Sequence, residues 1–274
     1  MKRLLIRIGL VLVVTGFTGL LAVTAWYANR ALPVGTGYVA KYLCSSTFIS
    51  ERDPERVFEE DVKPVNPLAR AVRWTIDFDE QTATARAFGL FSSRAMYREG
   101  AGCTLVRGRT EDDLRAQVFY QADPPRLRSR GLAEIPWPEG EGPVDPALLG
   151  VDAALLEGAL NDAFAEPEEG DYRKTRAVVV VYRGRLIGER YAPGFHEEMP
   201  LLGWSMAKSV TNALVGILVR EGELDISESA LVSPWQSSGD PRGSITLDQL
   251  MRMSSGLDFE EVYAPLHDAV NMLY

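Results

Sequence analysis

Residues 203–208 read GWSMAK, and the apolar spacing after them predicts a helix that begins at Ser205. Because residues three apart share a helical face, the Ser205 hydroxyl and the Lys208 amine can meet. The positive end of the helix macrodipole favours a developing alkoxide on a first-turn serine. Unlike arginine, a desolvated lysine can give up its proton. The spacing therefore predicts a serine nucleophile, Ser205, with Lys208 as proton acceptor or relay.

A serine and a lysine at this spacing also occur by chance, so the surrounding sequence carries the interpretation. The predicted helix has an apolar stripe and ends at Gly222, a residue typical of helix C-terminal caps. The stripe consists of Val210, Leu214, Ile217 and Leu218. Upstream, residues 177–191 predict a buried β-hairpin that turns at Arg183-Gly184. Downstream, residues 246–249 (TLDQ) form a capping box that opens a further helix, ended by Ser255-Gly256.

The chain divides at a segment rich in proline and glycine. Residues 135–143 (IPWPEGEGP) predict an extended linker, and Asp152 is a suitable N-cap for the helix that follows. We therefore expect an N-terminal region at 31–134, a linker at 135–150 and the Ser205-containing region at 151–274. Within the N-terminal region, residues 71–78 and 82–91 alternate polar and apolar side chains, which predicts a hairpin that turns at 79–81. No residue there suggests chemistry.

The first 30 residues predict a membrane anchor or a signal peptide. Positive residues at 2, 3 and 7 precede an uncharged stretch at 8–29, of which residues 8–28 are expected to span the membrane. A helix of that length crosses a hydrocarbon core of ~30 Å. Trp26 and Tyr27 suit the far interface, and the leading positive charges place the N-terminus in the cytoplasm. The alternative is a signal peptide cleaved after residues 23–25 (VTA), with secretion of the remainder. Either way, the rest of the chain is exported.

Composition limits the classes of partner. The chain has 274 residues, a net charge of −9 and 46% hydrophobic residues, which argues for a globular protein and against a nucleic-acid surface.

Cys44 and Cys103 lie beyond the anchor, in a compartment that permits a disulfide, although two separate thiols remain an alternative. No His/Cys spacing suits zinc, and we expect no cofactor. The two histidines, His196 and His267, have no evident carboxylate partner. The sequence does not indicate an oligomeric state.

From residue 177 to residue 259 the chain resembles the serine β-lactamase and penicillin-recognising superfamily. Within it, the similarity is greatest to the class C-like branch of esterases and 6-aminohexanoate-dimer hydrolases. The order is the one that family uses: hairpin, nucleophile helix, glycine-capped turn, then a helix ending in Ser-Gly. The segments that carry the resemblance are 178–182 (VVVVY), 189–194 (ERYAPG), 203–211 (GWSMAKSVT), 213–217 (ALVGI), 221–225 (EGELD) and 245–257 (ITLDQLMRMSSGL).

The resemblance implies an α+β fold, in which an antiparallel sheet is flanked by helices and Ser205 lies where the sheet meets the helical lobe. A small α/β region and one transmembrane helix precede that domain. It also implies that Ser205 forms an acyl-enzyme, that Lys208 takes or relays the proton, and that the Ser205 backbone N–H is one oxyanion donor. Tyr263 occupies a place comparable to a substrate-covering tyrosine of the 6-aminohexanoate-dimer hydrolases, although a surface tyrosine is an equal alternative.

The chain also departs from the family pattern. No Tyr-x-Asn-type motif and no Lys/His-x-Gly strand, which supply the general base and second oxyanion donor in the family, follow Ser205. We therefore expect the chain to be the N-terminal part of a longer protein, and poorly active alone.

The expected function is a serine hydrolase that cleaves an ester or amide and is anchored in the inner membrane, with its catalytic domain in the periplasm or outside the cell. One alternative is a β-lactamase or DD-peptidase that takes a β-lactam-like substrate. Another is a non-catalytic binding module or inactive fragment.

Overall fold

The computed structural model describes residues 2–65, 67–118, 134–168, 170, 172–229 and 232–274. Helices and antiparallel strands combine in an α+β architecture, as the resemblance implied. The chain forms two compact units, residues 1–117 with 201–274 and residues 118–200. The helices are α1 Lys2–Phe48, α2 Pro54–Val57, α3 Glu111–Arg115, α4 Ala153–Phe164, α5 Met206–Glu221, α6 Leu247–Met251 and α7 Asp268–Leu273. The strands are β1 Val72–Asp77, β2 Thr82–Ala87, β3 Phe91–Arg98, β4 Gly102–Leu105, β5 Ala177–Tyr182 and β6 Arg185–Tyr191.

The predicted membrane helix does not end near residue 30. Helix α1 continues without a break to Phe48, although Pro33 lies inside it. Within the described residues, one helix is long and apolar enough to cross a membrane, over Leu12–Phe48. Its side chains from 12 to 27 are exposed, whereas most from 34 onward are buried or half-buried. The positive side chains at 2, 3 and 7, on which the predicted orientation rests, lie outside the described part.

Four antiparallel strands, in the order β1-β2-β3-β4, form the sheet of the N-terminal region. The predicted hairpin is present, with Asp77 opposite Thr82 across the turn at 79–81. The prediction of one strand over 82–91 was wrong, because the chain reverses at residues 88–90 and β3 begins at Phe91. The chain reverses here because Phe88 and Gly89 have positive φ angles. The alternation of polar and apolar side chains in the sequence does not indicate such a turn.

The buried half of α1 packs across one face of this sheet. Small side chains on the sheet, Ala83, Ala85 and Ala95, let the helix approach closely, and Val39 and Leu43 of α1 fill the interface. Hydrophobic burial of this kind is the main favourable term in folding. At the start of β3, the Ser93 hydroxyl lies 2.8 Å from the Thr36 hydroxyl and donates to the Pro33 carbonyl at 3.2 Å. The sheet is therefore fixed to the helix directly beyond its exposed segment.

Cys44 of α1 and Cys103 of β4 form the predicted disulfide, with their Cα atoms 6.0 Å apart. Both cysteines are buried in the core between helix and sheet. The bond closes a loop with a sequence separation of 59 residues. It therefore covalently joins the helix that carries the apolar segment to the edge strand of the sheet.

Removal of this disulfide is expected to destabilise the N-terminal region. In the double variant Cys44→Ala/Cys103→Ala, the unfolded chain regains loop entropy worth about 4 kcal/mol for a loop of this length. The unfolding midpoint in detergent should fall by at least about 10 °C. Thermal unfolding followed by circular dichroism measures it, and added reductant should not change the variant's midpoint further. An unchanged midpoint in the variant would contradict a stabilising role.

In the unit 118–200, α4 lies against the β5-β6 hairpin. Asp152 caps α4 as predicted, accepting from the N–H groups of Ala154 and Leu155. The turn at Arg183-Gly184 has positive φ at both residues, as a tight hairpin requires. Gly188 of β6 allows close packing, because a Cβ there would lie 3.4 Å from the Leu160 side chain. The predicted cap at Asp152 and the predicted turn at Arg183-Gly184 are therefore confirmed.

Two expectations for this unit were wrong. The hairpin is not fully buried, because α4 covers one side of it and Val179 and Val181 are exposed. The segment 135–143 is not extended: its backbone closes on itself through the hydrogen bond from the Trp137 N–H to the Gly142 carbonyl. Next to it, the Val144 N–H donates to the Leu186 carbonyl of β6. Proline and glycine therefore produce a folded turn here, which composition alone does not distinguish from a linker.

Candidate active site

Helix α5 begins where the sequence predicts, with Ser205 as its N-cap residue and Gly222 as its left-handed C-cap. The residue before the serine, Trp204, has a φ of 44°, a left-handed conformation that is rare for a bulky side chain. After Ser205, the backbone N–H groups of residues 206–208 each donate to the carbonyl three positions earlier, for example that of Met206 to Gly203. A tight turn therefore leads into the helix and presents Ser205 at its N-terminal end.

Ser205 and Lys208 are in contact. The Lys208 ammonium donates to the Ser205 hydroxyl, with Nζ and Oγ 3.1 Å apart. In the part of the chain that the structure describes, the Ser205 backbone N–H donates to no acceptor, so it is available to an external oxygen. Both residues are exposed, and the Lys208 side chain retains 60% of its accessible surface. The predicted pair is thus assembled at a solvent-accessible helix start.

A carboxylate that the sequence did not suggest completes the cluster. Glu261 lies in the loop between α6 and α7, and its Oε1 is 3.5 Å from the Lys208 Nζ. The same oxygen accepts from the Tyr263 hydroxyl at 3.4 Å. Tyr263 is therefore linked to Lys208 through Glu261, and it is exposed. More than fifty residues separate Glu261 from Lys208, so no local spacing in the sequence links the two.

His267 has the carboxylate partner that the sequence did not reveal. Its Nδ1 lies 2.8 Å from Oε2 of Glu260, and the Glu260 backbone N–H donates to Asp268 at 3.3 Å. These contacts connect the loop that carries Glu261 to the first turn of α7. The expectation that His267 lacks a carboxylate was therefore wrong. None of its hydrogen bonds reaches Ser205, so its contacts support the loop.

Two features of the helices around the site differ from expectation. The stripe that periodicity assigns to the interior is largely exposed in α5, with Val210 retaining 61% of its surface. Helix α6 has the predicted capping box between Thr246 and Gln249, but it ends at Met251 rather than at Ser255-Gly256. A positive φ at Met253 stops it early. Amphipathic spacing predicts a helix, but it does not say which element covers the apolar face.

The lining of a cavity of about 310 Å³ contains none of the residues of this cluster. Its lining comes mainly from α1, β4 and the end of α7 with the residue after it, and it includes Lys41, Leu105 and Tyr274. Tyr274 packs edge-on against Tyr38, with ring centroids 5.5 Å apart. Ser205 and Lys208 are not among the lining residues. Its position gives no reason to regard it as the substrate pocket.

A serine at a helix start, hydrogen-bonded to a lysine one turn later in an α+β protein, is an arrangement suited to serine hydrolases that form acyl-enzymes. Residues 160–272, less than half of the chain, match the family model described as Beta-lactamase. Over these residues the chain is similar to the serine β-lactamase and penicillin-recognising superfamily, whose members are in general serine hydrolases. Comparisons with curated proteins and with solved structures give no match.

Replacement of Glu261 by glutamine is expected to have a small effect. Its contacts with Lys208 and Tyr263 are long and exposed, and such pairs contribute little. The rate of labelling by a fluorophosphonate probe should change by less than about fivefold in the full-length protein. A loss above about a hundredfold would instead make Glu261 part of the catalytic machinery.

Proposed function

We propose that the protein is an exported serine hydrolase that cleaves an ester or amide through an acyl-enzyme on Ser205. The observation that supports this most directly is the 3.1 Å contact between Lys208 Nζ and Ser205 Oγ, inside the region that matches the β-lactamase family. Lys208 serves as the proton acceptor or relay. Tyr263 is the proposed substrate contact, and its hydrogen bond to Glu261, which lies beside Lys208, supports that role.

In the first step, Ser205 Oγ bonds to the carbonyl carbon of the substrate. Its proton passes to the Lys208 Nζ, which accepts it as the uncharged amine. Because Oγ and Nζ are already at hydrogen-bond distance, the proton transfer needs no rearrangement of the helix. The helix macrodipole stabilises the negative charge that develops at its N-terminal end.

The tetrahedral intermediate carries its charge on the former carbonyl oxygen. The N–H of Ser205, which has no acceptor among the described residues, is suited to donate a hydrogen bond to that oxygen, and one such donor is worth ~3 kcal/mol in other hydrolases. As the intermediate collapses, the bond to the leaving group breaks and the proton on Lys208 passes to that group. Water then attacks the acyl carbon, the acid is released, and a proton returns to Ser205 Oγ.

Experiments with different substrates can distinguish the possible substrate classes. The resemblance favours the esterase and 6-aminohexanoate-dimer hydrolase branch, whereas the family name alone favours a β-lactam. We expect the full-length protein to hydrolyse p-nitrophenyl esters faster than nitrocefin, and to show no stable labelling by fluorescent penicillin. Rapid nitrocefin turnover would indicate a β-lactamase, and stable penicillin labelling a DD-peptidase. No reaction with any of these, or with a fluorophosphonate, would favour a binding module.

We propose further that α1 anchors this hydrolase in the inner membrane, with the residues after it in the periplasm or outside the cell. Support comes from the exposed apolar side chains between residues 12 and 27 and from the aromatic pair Trp26 and Tyr27 at their end. Arg30 stacks over the Trp26 ring at 4.8 Å, a polar boundary to the apolar segment. The boundaries at 30, 134 and 150 remain predictions.

A further inference from the structure

The turn between β2 and β3 carries two large apolar side chains that face solvent. Phe88 retains 68% of its surface and Leu90 83%. Phe88 also has a φ of 53°, a conformation that glycine or asparagine adopts at lower cost than a bulky aromatic residue. A turn between two paired strands has no need of exposed apolar side chains for its own stability. Adjacent exposed apolar groups of this kind indicate a contact surface.

The position of this turn relative to α1 follows from the contacts within the N-terminal region. Ser93 lies beside Pro33 and Thr36, and the ring of Tyr97 lies 6.3 Å from that of Phe48. Strand β3 therefore runs in the same direction as α1. From Ser93 back to the turn is about 10 Å at ~3.3 Å per residue. The same distance along a helix is about seven residues. The turn therefore lies level with about residues 27–29, where the exposed apolar segment of α1 ends.

Arginines surround the same end of the sheet. Arg73 of β1 lies directly opposite Arg86 of β2, and both are exposed. Arg70 precedes β1 at that end and is exposed as well. Among the residues described, none of the three forms an ion pair. Like charges directly opposite each other across a sheet are unfavourable unless an anion lies near them.

The opposite end of the sheet has the reverse charge. Asp77 ends β1, Asp79 and Glu80 lie in the turn after it, and Glu99 lies in the β3–β4 turn, all of them exposed. Of these four, Glu80 is paired with Arg115. In a chain with a net charge of −9, the basic end is a local exception. The small domain is therefore polarised along α1, with its positive and apolar end next to the apolar segment of the helix.

We propose that this end of the domain, the turn at residues 88–90 with Arg70, Arg73 and Arg86, is a second membrane contact that binds anionic phospholipids. Phe88 and Leu90 insert into the interface, and the three arginines meet lipid phosphates, as basic and apolar groups do at membrane surfaces. The contact is continuous with the anchor, and the proposal rests on α1 being that anchor. Together the helix and the turn fix the orientation of the domain on the bilayer.

A fluorescent reporter on the turn tests this contact. Phe88→Cys, labelled with the NBD fluorophore, is reconstituted as the full-length protein in vesicles of phosphatidylcholine with phosphatidylglycerol. The two cysteines of this chain are joined in a buried disulfide, so they do not compete with the new thiol for the label. The matched control is Phe78→Cys, because Phe78 is equally exposed, at 65%, in the turn at the opposite end of the sheet. A third site, Leu20→Cys, reports the anchor through lipids that carry the doxyl group deep in the acyl chain.

Lipids with a doxyl group near the headgroup should quench the reporter at 88 at least about threefold more than at 78. The double variant Arg73→Glu/Arg86→Glu should lower the quenching at 88 about twofold in these vesicles and remove its dependence on phosphatidylglycerol. If the reporter at 20 were quenched while those at 88 and 78 were quenched equally little, the second contact would be overturned and the anchor would stand. An absence of quenching at 20 would overturn the anchor and the contact together. If quenching at 88 changed neither in the double variant Arg73→Glu/Arg86→Glu nor with the phosphatidylglycerol content, the interaction with lipid phosphates would be excluded.

Discussion

Ser205→Ala is expected to reduce kcat/KM for ester hydrolysis by the full-length protein by at least about 10³-fold. The oxygen that forms the acyl-enzyme is then missing, and only the oxyanion donor and substrate binding remain to accelerate the reaction. The expectation follows from the place of Ser205 at the start of α5, with its hydroxyl on Lys208. Initial rates with a p-nitrophenyl ester measure it.

Ser209→Ala is the matched control. Ser209 lies one turn after Ser205 in α5 and is also exposed, and among the described residues its hydroxyl forms no hydrogen bond with the Lys208 ammonium. Its removal should change kcat/KM by less than about threefold, because it lies outside the proposed chemistry. Equal activity of the Ser205 variant and the wild-type protein would falsify the nucleophile assignment.

Replacement of Lys208 should have the second largest effect. Lys208→Ala removes the proton acceptor, and loss of a general base lowers rates by about 10²–10⁴-fold. Lys208→Arg should lose nearly as much, because arginine keeps the positive charge but cannot accept a proton. The quantity to measure is the rate of acylation in single-turnover experiments, which separates this step from deacylation and product release.

The two Lys208 variants distinguish proton transfer from electrostatic support. If Lys208 acted only as a fixed positive charge, Lys208→Arg would retain activity within about tenfold of wild type while Lys208→Ala would not. That result would contradict the proton-relay role but leave Ser205 as nucleophile. Circular dichroism of both variants checks the fold, since the Lys208 side chain is exposed and its loss opens no cavity.

Local sequence signals predicted the elements around the site well. These elements include the start of α5 at Ser205, its end at Gly222, and the capping box between Thr246 and Gln249. Each of the three features depends only on residues within about one helical turn of itself. The same is true of the Asp152 cap and of the tight turn at Arg183-Gly184. Side-chain hydrogen bonds and positive φ angles act over such distances, so they can be inferred without knowledge of tertiary packing.

Features that depend on distant contacts were not predictable in this way. Glu261 reaches Lys208 only because the loop after α6 folds back toward α5. The burial of the second half of α1 depends on the alanine-rich face of a sheet that lies more than thirty residues away. Apolar residues that enter a membrane and apolar residues that enter a core have the same composition, so hydropathy alone did not separate the two halves of α1.

The alanines also explain why the alternation of side chains in β2 is weak. Alanine is depleted in strands, and a strand built from alanine and threonine gives a weak alternation. Its stability comes from the helix that covers it, with Ala83 and Ala85 completely buried. In the same way, the charge polarity of the domain emerges only when the pairing of Arg73 with Arg86 is known.

Mapping of the fluorophosphonate adduct by mass spectrometry tests the central claim most directly. Trypsin cleaves after Arg190 and Lys208, and the peptide 191–208 contains one serine, Ser205, while Ser209 falls in the next peptide. We predict that labelled full-length protein carries the phosphonyl group on Ser205 in peptide 191–208. We also predict that Ser205→Ala and heat-denatured protein carry no adduct. Labelling at another serine, or undiminished labelling of Ser205→Ala, would contradict Ser205 as the nucleophile.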